Sequence, residues 1–122
     1  MRIIRGKYGR RRFDVPKNIT ARPTTDFARE NIFNVLENML DFDGLRALDL
    51  FAGSGQLGIE ALSRGAAHCT FVDKGRDPIA VIRENLKKTR LEEKAEIVQA
   101  DYSSYLKTCR TQFDLILLDP PY

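Results

Sequence analysis

The chain has 122 residues, of which 43% are hydrophobic and 30% charged, so it is long enough for one domain with a buried core. It contains no apolar run approaching the roughly 18 residues of a membrane span, and its two cysteines are too few for a disulfide framework. These features argue against a membrane protein and a disulfide-stapled domain, and they favour a globular cytoplasmic protein.

The net charge of +3 conceals an uneven distribution. Residues 1–22 contain eight lysines or arginines and one acid, a local charge of +7, whereas the remaining residues carry −4. A basic segment on an acidic body is typical of an arm that contacts a polyanion such as RNA, although a solvated basic tail would have the same composition. Short apolar runs on either side of Gly6 and Gly9 predict that this arm, residues 1–23, is a β-hairpin.

The next segment has the spacing of a helix. Threonine can cap a helix, so we expect it to begin at Thr24 or Thr25 and to end between Asp41 and Gly44. After Gly44, short apolar runs alternate with helical stretches, which predicts a Rossmann-like α/β fold with a parallel sheet covered by helices on both faces. The predicted strands are Leu45–Leu50, Cys69–Val72, Ala95–Val98 and Phe113–Leu118, and the predicted helices are Gln56–Arg64, Pro78–Thr89 with Asp77 as its cap, and Tyr102–Cys109.

Polar residues follow each predicted strand, at the sheet edge where ligands of such folds bind. The first strand leads into LDLFAGSGQLG, where Gly53 and Gly55 allow a tight turn and Gly58 allows a helix to lie close to the sheet. Asp73, after the second strand, is at the spacing expected of a carboxylate that binds ribose hydroxyls. Asp101, after the third strand, is placed to reach an adenine amino group.

Two nucleoside cofactors fit this pattern. A dinucleotide would place its pyrophosphate at the glycine turn, where the neighbouring acid Asp49 would repel it. S-adenosylmethionine has no phosphate and carries positive charges, so Asp49 favours it. The pattern at the first three strand ends therefore favours S-adenosylmethionine without excluding a dinucleotide.

The fourth strand leads into the sequence Asp119-Pro120-Pro121-Tyr122. The prolines fix the direction of the carbonyls, so an exocyclic amine can donate one hydrogen to the Asp119 carboxylate and one to the Pro120 carbonyl. Tyr122 can stack on the base, a contact worth roughly 1–3 kcal/mol. We therefore predict Asp119, Pro120 and Tyr122 as catalytic residues for methyl transfer to an amino nitrogen, the alternative being a Pro-Pro turn that only ends a strand.

LDLFAGSGQLG together with DPPY resembles the class I S-adenosylmethionine-dependent methyltransferases that act on amino nitrogens. The segments MRIIRGKYGRRRFDVP and RPTTDFARENIFNVL are similar to one bacterial family, the 16S ribosomal RNA guanine-N2 methyltransferases. The resemblance implies methyl transfer from S-adenosylmethionine to the N2 amine of a guanine. It also implies 16S rRNA, the 30S subunit or an assembly intermediate as partner, a monomer in the full-length form, and no metal or membrane.

The resemblance assigns roles to particular residues and divides the chain into the arm, 1–23, and a cofactor-binding methyltransferase domain, 24–122. It implies cofactor contacts by Asp49, Phe51, Gly53, Gly55, Asp73 and Asp101, and substrate contacts by Pro121, Arg22, Thr24, Arg10, Arg11 and Arg12.

Members of this family continue past DPPY with elements that complete a seven-stranded sheet. We therefore expect the chain to be part of a longer polypeptide, with its sheet truncated after the fourth strand. The strand Phe113–Leu118 would then lie at a sheet edge that is open to association. Three alternative functions remain: a DNA adenine-N6 methyltransferase, a nicotinamide-dependent oxidoreductase, and a catalytically incomplete fragment that only binds cofactor or nucleic acid.

Overall fold

The computed structural model describes residues 26–120 and the backbone course of two short strands near the start of the chain. Strands and helices alternate from residue 46 onwards, as the sequence predicts. None of the helices within these ranges is long and apolar enough to cross a membrane. The elements are β1 (Arg2–Arg5), β2 (Arg12–Asp14), α1 (Asp26–Glu37), β3 (Arg46–Leu50), α2 (Gln56–Ser63), β4 (His68–Asp73), α3 (Arg76–Thr89), a 3-10 turn (Glu92–Lys94), β5 (Ala95–Gln99), α4 (Tyr102–Thr108) and β6 (Leu115–Leu118).

The strands form one sheet in the order β2-β1-β6-β3-β4-β5. The last four strands in this order are mutually parallel, and helices connect them along the chain. Parallel neighbours need a crossover connection, which places the helices on the faces of the sheet. The predicted Rossmann-like α/β fold is therefore confirmed.

The position of β6 corrects one expectation. β1 pairs antiparallel with β6 from Arg2 opposite Leu118 to Arg5 opposite Leu115. β1 also pairs with β2 as an antiparallel hairpin. The expected open edge at β6 is therefore wrong, because β1 supplies hydrogen-bonding partners to the backbone groups that this edge would have exposed. Within the described strands, the edges of the sheet are β2 and β5.

The start of α3 corrects a second expectation. The helix begins at Arg76 with Gly75 as its N-cap, so the predicted cap by Asp77 is wrong, and Asp77 lies in the first turn. The physical reason is that the Asp73 carboxylate accepts the Gly75 N–H at 2.9 Å, which fixes the entry into the helix two residues before Asp77. The aspartate in the first turn still complements the positive end of the helix dipole.

Helix α1 is shorter than predicted. It ends at Glu37, ahead of the expected range between Asp41 and Gly44. The N–H of Asn38 donates to the carbonyl of Val35 at 3.1 Å, a tightened turn of the kind that often ends a helix.

The buried core lies on both faces of the sheet. Side chains alternate along a strand, so Leu115 and Leu117 of β6 face one cluster and Ile116 and Leu118 face the other. The second cluster is covered by α4. The first and larger cluster lies against α1, α2 and α3 and includes Phe33, Leu36, Leu62, Phe71, Ile82 and Leu86.

Gly58 sets the distance between α2 and the sheet. A Cβ atom at this position would lie 2.4 Å from Cε2 of Phe71 and 2.7 Å from Sγ of Cys69. Both neighbours are completely buried and cannot move aside without disturbing the core. Glycine at this position therefore allows the close helix-to-sheet packing that the sequence predicts.

Gly58→Ala is expected to lower the free energy of unfolding by about 1–3 kcal/mol, because overpacking outweighs the higher helix propensity of alanine. Urea denaturation of the variant and of wild type measures the difference. Ser63→Ala, at an exposed position of the same helix, is the control and should change stability by less than about 0.5 kcal/mol. Unchanged or increased stability of Gly58→Ala would contradict this packing argument.

Candidate functional site

A cavity of about 570 Å³ opens at the carboxyl ends of the parallel strands. The sheet register brings these ends together, because Leu50 of β3 pairs with Val72 of β4 and with Leu118 of β6. The volume lies within the range of small-molecule and cofactor sites. Of the residues predicted for the site, the cavity is lined by Phe51, Gly53, Asp73, Asp101, Asp119 and Pro120.

Two predicted cofactor residues lie behind the cavity wall. Asp49 is 0% exposed and faces the larger core cluster, paired in register with Phe71 and Leu117. Gly55 is also buried, and a Cβ atom there would lie 3.2 Å from Cγ1 of Ile82. Neither Asp49 nor Gly55 lines the cavity, and their contacts with a cofactor stay predictions.

The glycine turn presents its backbone to the cavity. Gly53 has a φ of 58°, and no atom lies within 4 Å of the position that its Cβ would occupy. Phe51 also has a positive φ, of 64°, which is a strained conformation for a bulky residue. Such strain is concentrated at functional sites. The turn therefore leaves open space beside Gly53 into which a ligand can approach the main chain.

Asp73 connects the loops that follow β3 and β4. One carboxylate oxygen accepts the N–H of Gly53 at 2.9 Å, and the other accepts the N–H of Gly75 at 2.9 Å. An ionised carboxylate offers about four acceptor sites, so both oxygens retain capacity for further donors. The side chain lines the cavity. Asp73 can therefore hold the loops in place and also accept hydroxyl groups of a ligand.

Asp49 is a buried acid with one unsatisfied oxygen. Its Oδ2 accepts the N–H of Gly58 at 3.0 Å, whereas the buried Oδ1 has no hydrogen-bond partner among the residues described. Burial raises the pKa of Asp49 from 3.8 to about 8, opposed by the Gly58 N–H and assisted by the negative charges of Asp119 and Asp73. The carboxyl group is therefore protonated at neutral pH when no cation is nearby.

Asp49→Asn is expected to change how stability depends on pH. Between about pH 4 and pH 8 the folded protein keeps a proton on Asp49 that the unfolded chain has released, so its contribution to the free energy of unfolding falls as pH rises through this window. Above about pH 8 the contribution is constant. In the asparagine variant, the free energy of unfolding should not show this decline with rising pH. Urea denaturation at pH 5 and pH 8 checks it, and an equal decline in both proteins would show that Asp49 does not titrate in this window.

Part of the cavity lining is aromatic and polar. The rings of Phe51 and Tyr102 are 4.9 Å apart between centroids, and both residues line the cavity. Asp101 caps α4, because its Oδ2 accepts the N–H and the hydroxyl of Ser103. The bond from the Ser103 hydroxyl, with the positive charge of Lys74 as a smaller contribution, lowers the pKa of Asp101. Phe51 and Tyr102 therefore offer ring faces, and Asp101 offers a carboxylate, to a planar base.

Sequence reasoning missed several residues that line the cavity. Lys74 directly follows Asp73 and Tyr102 directly follows Asp101, so their proximity to predicted site residues was the available signal. Arg29 of α1 and Gln56 of α2 also line the cavity. Both lie within the quoted segments RPTTDFARENIFNVL and LDLFAGSGQLG, and they meet because α1 packs beside α2.

Several predicted site residues have no described side-chain position. Arg12 is described only as a backbone position in β2, where it pairs with Ile4 on the side of β1 remote from β6. The predicted residues outside the described ranges are Arg10, Arg11, Arg22, Thr24, Pro121 and Tyr122.

Residues 1–122 match the model of the family described as conserved hypothetical protein 95. The chain belongs to this family. A relative in Bacillus subtilis, YlbH, which is provisionally named an rRNA methyltransferase, is 45% identical over 125 residues, covering 100% of this chain and 67% of the relative. Ribosomal RNA small subunit methyltransferase D of Escherichia coli K12 is 38% identical over 122 residues, covering 100% of this chain and 60% of the relative.

A solved structure from Streptococcus pyogenes, described as a conserved hypothetical protein, has the same fold. It superposes with a TM-score of 0.72 at 40% identity, covering 77% of this chain and 57% of the other. The relatives confirm the family resemblance that the segments MRIIRGKYGRRRFDVP and RPTTDFARENIFNVL indicated. The chain spans 67% of the length of the Bacillus subtilis relative and 60% of the length of the Escherichia coli relative.

Proposed function

We propose that this chain carries the methyl-transfer site of a ribosomal RNA methyltransferase that uses S-adenosylmethionine. The target is the exocyclic N2 amine of a guanine in 16S rRNA, presented as RNA, as a 30S subunit or as an assembly intermediate. The observation that carries the proposal is that Asp119 and Pro120 line the same cavity as Gly53 and Asp73. The residues proposed to hold an amine and those proposed to hold a nucleoside therefore line one cavity.

The residues of the cavity fit S-adenosylmethionine. The open space at Gly53 admits a ligand close to the main chain, and Asp73 can accept the ribose hydroxyls. The Phe51–Tyr102 pair and Asp101 suit the adenine. Asp49 lies behind the turn with its Oδ1 unpartnered among the described residues, and a cationic group of a bound ligand would favour its ionised form.

When bound, S-adenosylmethionine supplies an electrophilic methyl group on a positively charged sulfur. The residues of the chain itself would position the target amine and stabilise the charge that develops on it. Asp119 and the Pro120 carbonyl would each accept one hydrogen of the target amine, which aims the nitrogen lone pair into the cavity. Holding two reactants in such an arrangement can lower the barrier by several kcal/mol, on the order of 7–11 in the best intramolecular cases.

The base must leave its stack to enter the cavity, at a cost of a few kcal/mol. The basic segment 1–22, with its charge of +7, would offset part of this cost by contacting phosphates. RNA binding is therefore expected to weaken steeply as salt concentration rises.

The proposal is tested by methyl transfer from methyl-labelled S-adenosylmethionine. 16S rRNA and 30S particles from cells that lack the modification, and duplex DNA, serve as substrates, and mass spectrometry of nucleosides identifies the product. We expect N2-methylguanosine in the RNA and no label in the DNA. N6-methyladenine in the DNA would instead support the adenine methyltransferase.

Binding measurements separate the two remaining alternatives. Calorimetry should detect binding of S-adenosylhomocysteine and no binding of NAD. Binding of NAD without binding of S-adenosylhomocysteine would identify an oxidoreductase. Binding of S-adenosylhomocysteine and rRNA without any turnover would identify a binding module, and would contradict the proposal that this chain performs the transfer.

A further inference from the structure

Helix α4 presents an exposed surface beside the cavity. Tyr105 and Cys109 pack against the second core cluster, so the opposite side of the helix faces solvent. Leu106 is 48% exposed, and Lys107 and Arg110 are exposed as well. These last three residues, which lie in the final turn of the helix and just after it, are called the α4 surface.

The α4 surface carries positive charge that no nearby acid neutralises. Residues 102–112 contain Lys107 and Arg110 and no acid, and α4 is the one described helix without an acidic residue. Neither cation forms an ion pair with any residue in the part of the chain that the structure describes. Asp101 and Asp114, which flank the segment, each accept a backbone N–H instead. Basic side chains without acidic partners are typical of surfaces that contact phosphates.

The α4 surface and the basic arm lie on different sides of the cavity. In the sheet order β2-β1-β6-β3-β4-β5, the arm strands form one end, whereas α4 packs against β4. Tyr102, the first residue of α4, lines the cavity. Lys107 follows five residues later, about 7.5 Å further along the helix axis. The α4 surface therefore begins close to the rim of the cavity and leads away from it.

The chemistry of the α4 surface favours RNA over a protein partner. One half-exposed leucine provides little apolar area for a protein interface, whereas two cations without acids match successive phosphates. A nucleotide that leaves its stack to enter the cavity stays covalently linked to its neighbours on both sides. The backbone of these neighbours must therefore pass close to the rim where α4 begins.

We propose that the α4 surface is a second RNA-contact surface, in which Lys107 and Arg110 bind phosphates next to the target guanine and Leu106 packs against the sugars. This inference rests on the proposed rRNA methyltransferase function and extends it by assigning the surface that holds the strand on the side away from the arm. The RNA is then held on both sides of the cavity. Contacts with the backbone position the strand and do not read its sequence.

The first test measures dissociation constants for 16S rRNA over a range of salt concentrations, for wild type and for Lys107→Gln/Arg110→Gln. Each phosphate contact of a single strand contributes about 0.7 to the slope of log Kd against log salt concentration, so the double variant should lose about 1.4 of this slope. Its affinity at low salt should fall by about tenfold. Lys87→Gln/Lys88→Gln removes the same charge from exposed positions of α3, on the other face of the sheet, and should leave the slope unchanged.

The second test adds charge to the same surface. Leu106→Glu places an acid between the two cations, so its repulsion of phosphates should weaken RNA binding at least as strongly as the double variant does. Val81→Glu in α3 is the matched control, because Val81 is 43% exposed, and it should bind RNA like wild type. The affinity for S-adenosylhomocysteine should stay unchanged in every variant, because none of the substituted residues lines the cavity.

The inference is overturned if the α4 variants bind rRNA with the affinity and salt slope of wild type, which is the result expected if the surface serves a protein partner. It is also overturned if the α3 controls weaken binding equally. In either case the proposed function stands as long as wild type transfers methyl groups to rRNA. A wild-type protein that neither binds nor methylates rRNA would overturn both.

Discussion

Asp119→Ala is expected to slow methyl transfer by about 100- to 1,000-fold, because the target amine loses the acceptor that orients it. The affinity for S-adenosylhomocysteine should change by less than about threefold, since Asp119 would act on the amine and not on the nucleoside. Single-turnover transfer to rRNA at saturating cofactor measures the rate of methyl transfer, and calorimetry measures the affinity for S-adenosylhomocysteine.

Asp114 provides the control for this experiment. It precedes β6 as Asp119 follows it, and its carboxylate accepts the N–H of Arg46 at 3.0 Å at the opposite end of the sheet. Asp114→Ala should leave the transfer rate within about threefold of wild type. Transfer by Asp119→Ala at the wild-type rate would show that the amine is oriented by other groups, and the proposed clamp would be wrong.

Asp73→Ala is expected to weaken the binding of S-adenosylhomocysteine by about 100-fold or more. The change removes the acceptor of the ribose hydroxyls and also the two hydrogen bonds to Gly53 and Gly75 that hold the loops. Hydrogen bonds to a charged group are each worth about 1.5–3 kcal/mol, so the loss of two or more accounts for this magnitude. Calorimetric titration measures the affinity, and thermal unfolding measures the accompanying loss of stability.

Asp41→Ala separates ligand binding from loop stability. Asp41 accepts the N–H of Asp43 at 3.0 Å, the same two-residue spacing as between Asp73 and Gly75, but it lies in the segment after α1. Its removal should leave the affinity unchanged. An affinity of Asp73→Ala equal to that of wild type would exclude Asp73 as the ribose ligand.

The parallel part of the fold could be predicted because each of its strands is a local apolar run bounded by polar residues. Leu45–Leu50, for example, corresponds to β3 with a difference of one residue at its start. The pairing of β1 with β6 could not be predicted in this way. It joins segments near the two ends of the chain, and no local pattern in either segment specifies the other.

The site was predictable where a residue follows directly from a strand end. Asp73 and Asp119 fall at these positions and line the cavity. Asp49 lies within β3, where alternation directs its side chain into the core beneath α2, so its predicted contact with the cofactor could not be placed from spacing alone. Arg29 was missed because its position depends on how two helices pack, which the sequence does not encode locally.

The pairing of β1 with β6 has a consequence for the order of folding. β1 precedes all other described elements along the chain, whereas its partner β6 is the last of them. Contacts between such distant segments form slowly, because a long loop must close before they contribute any energy. During translation β1 can therefore pair with β6 only after the chain as far as Leu118 has left the ribosome.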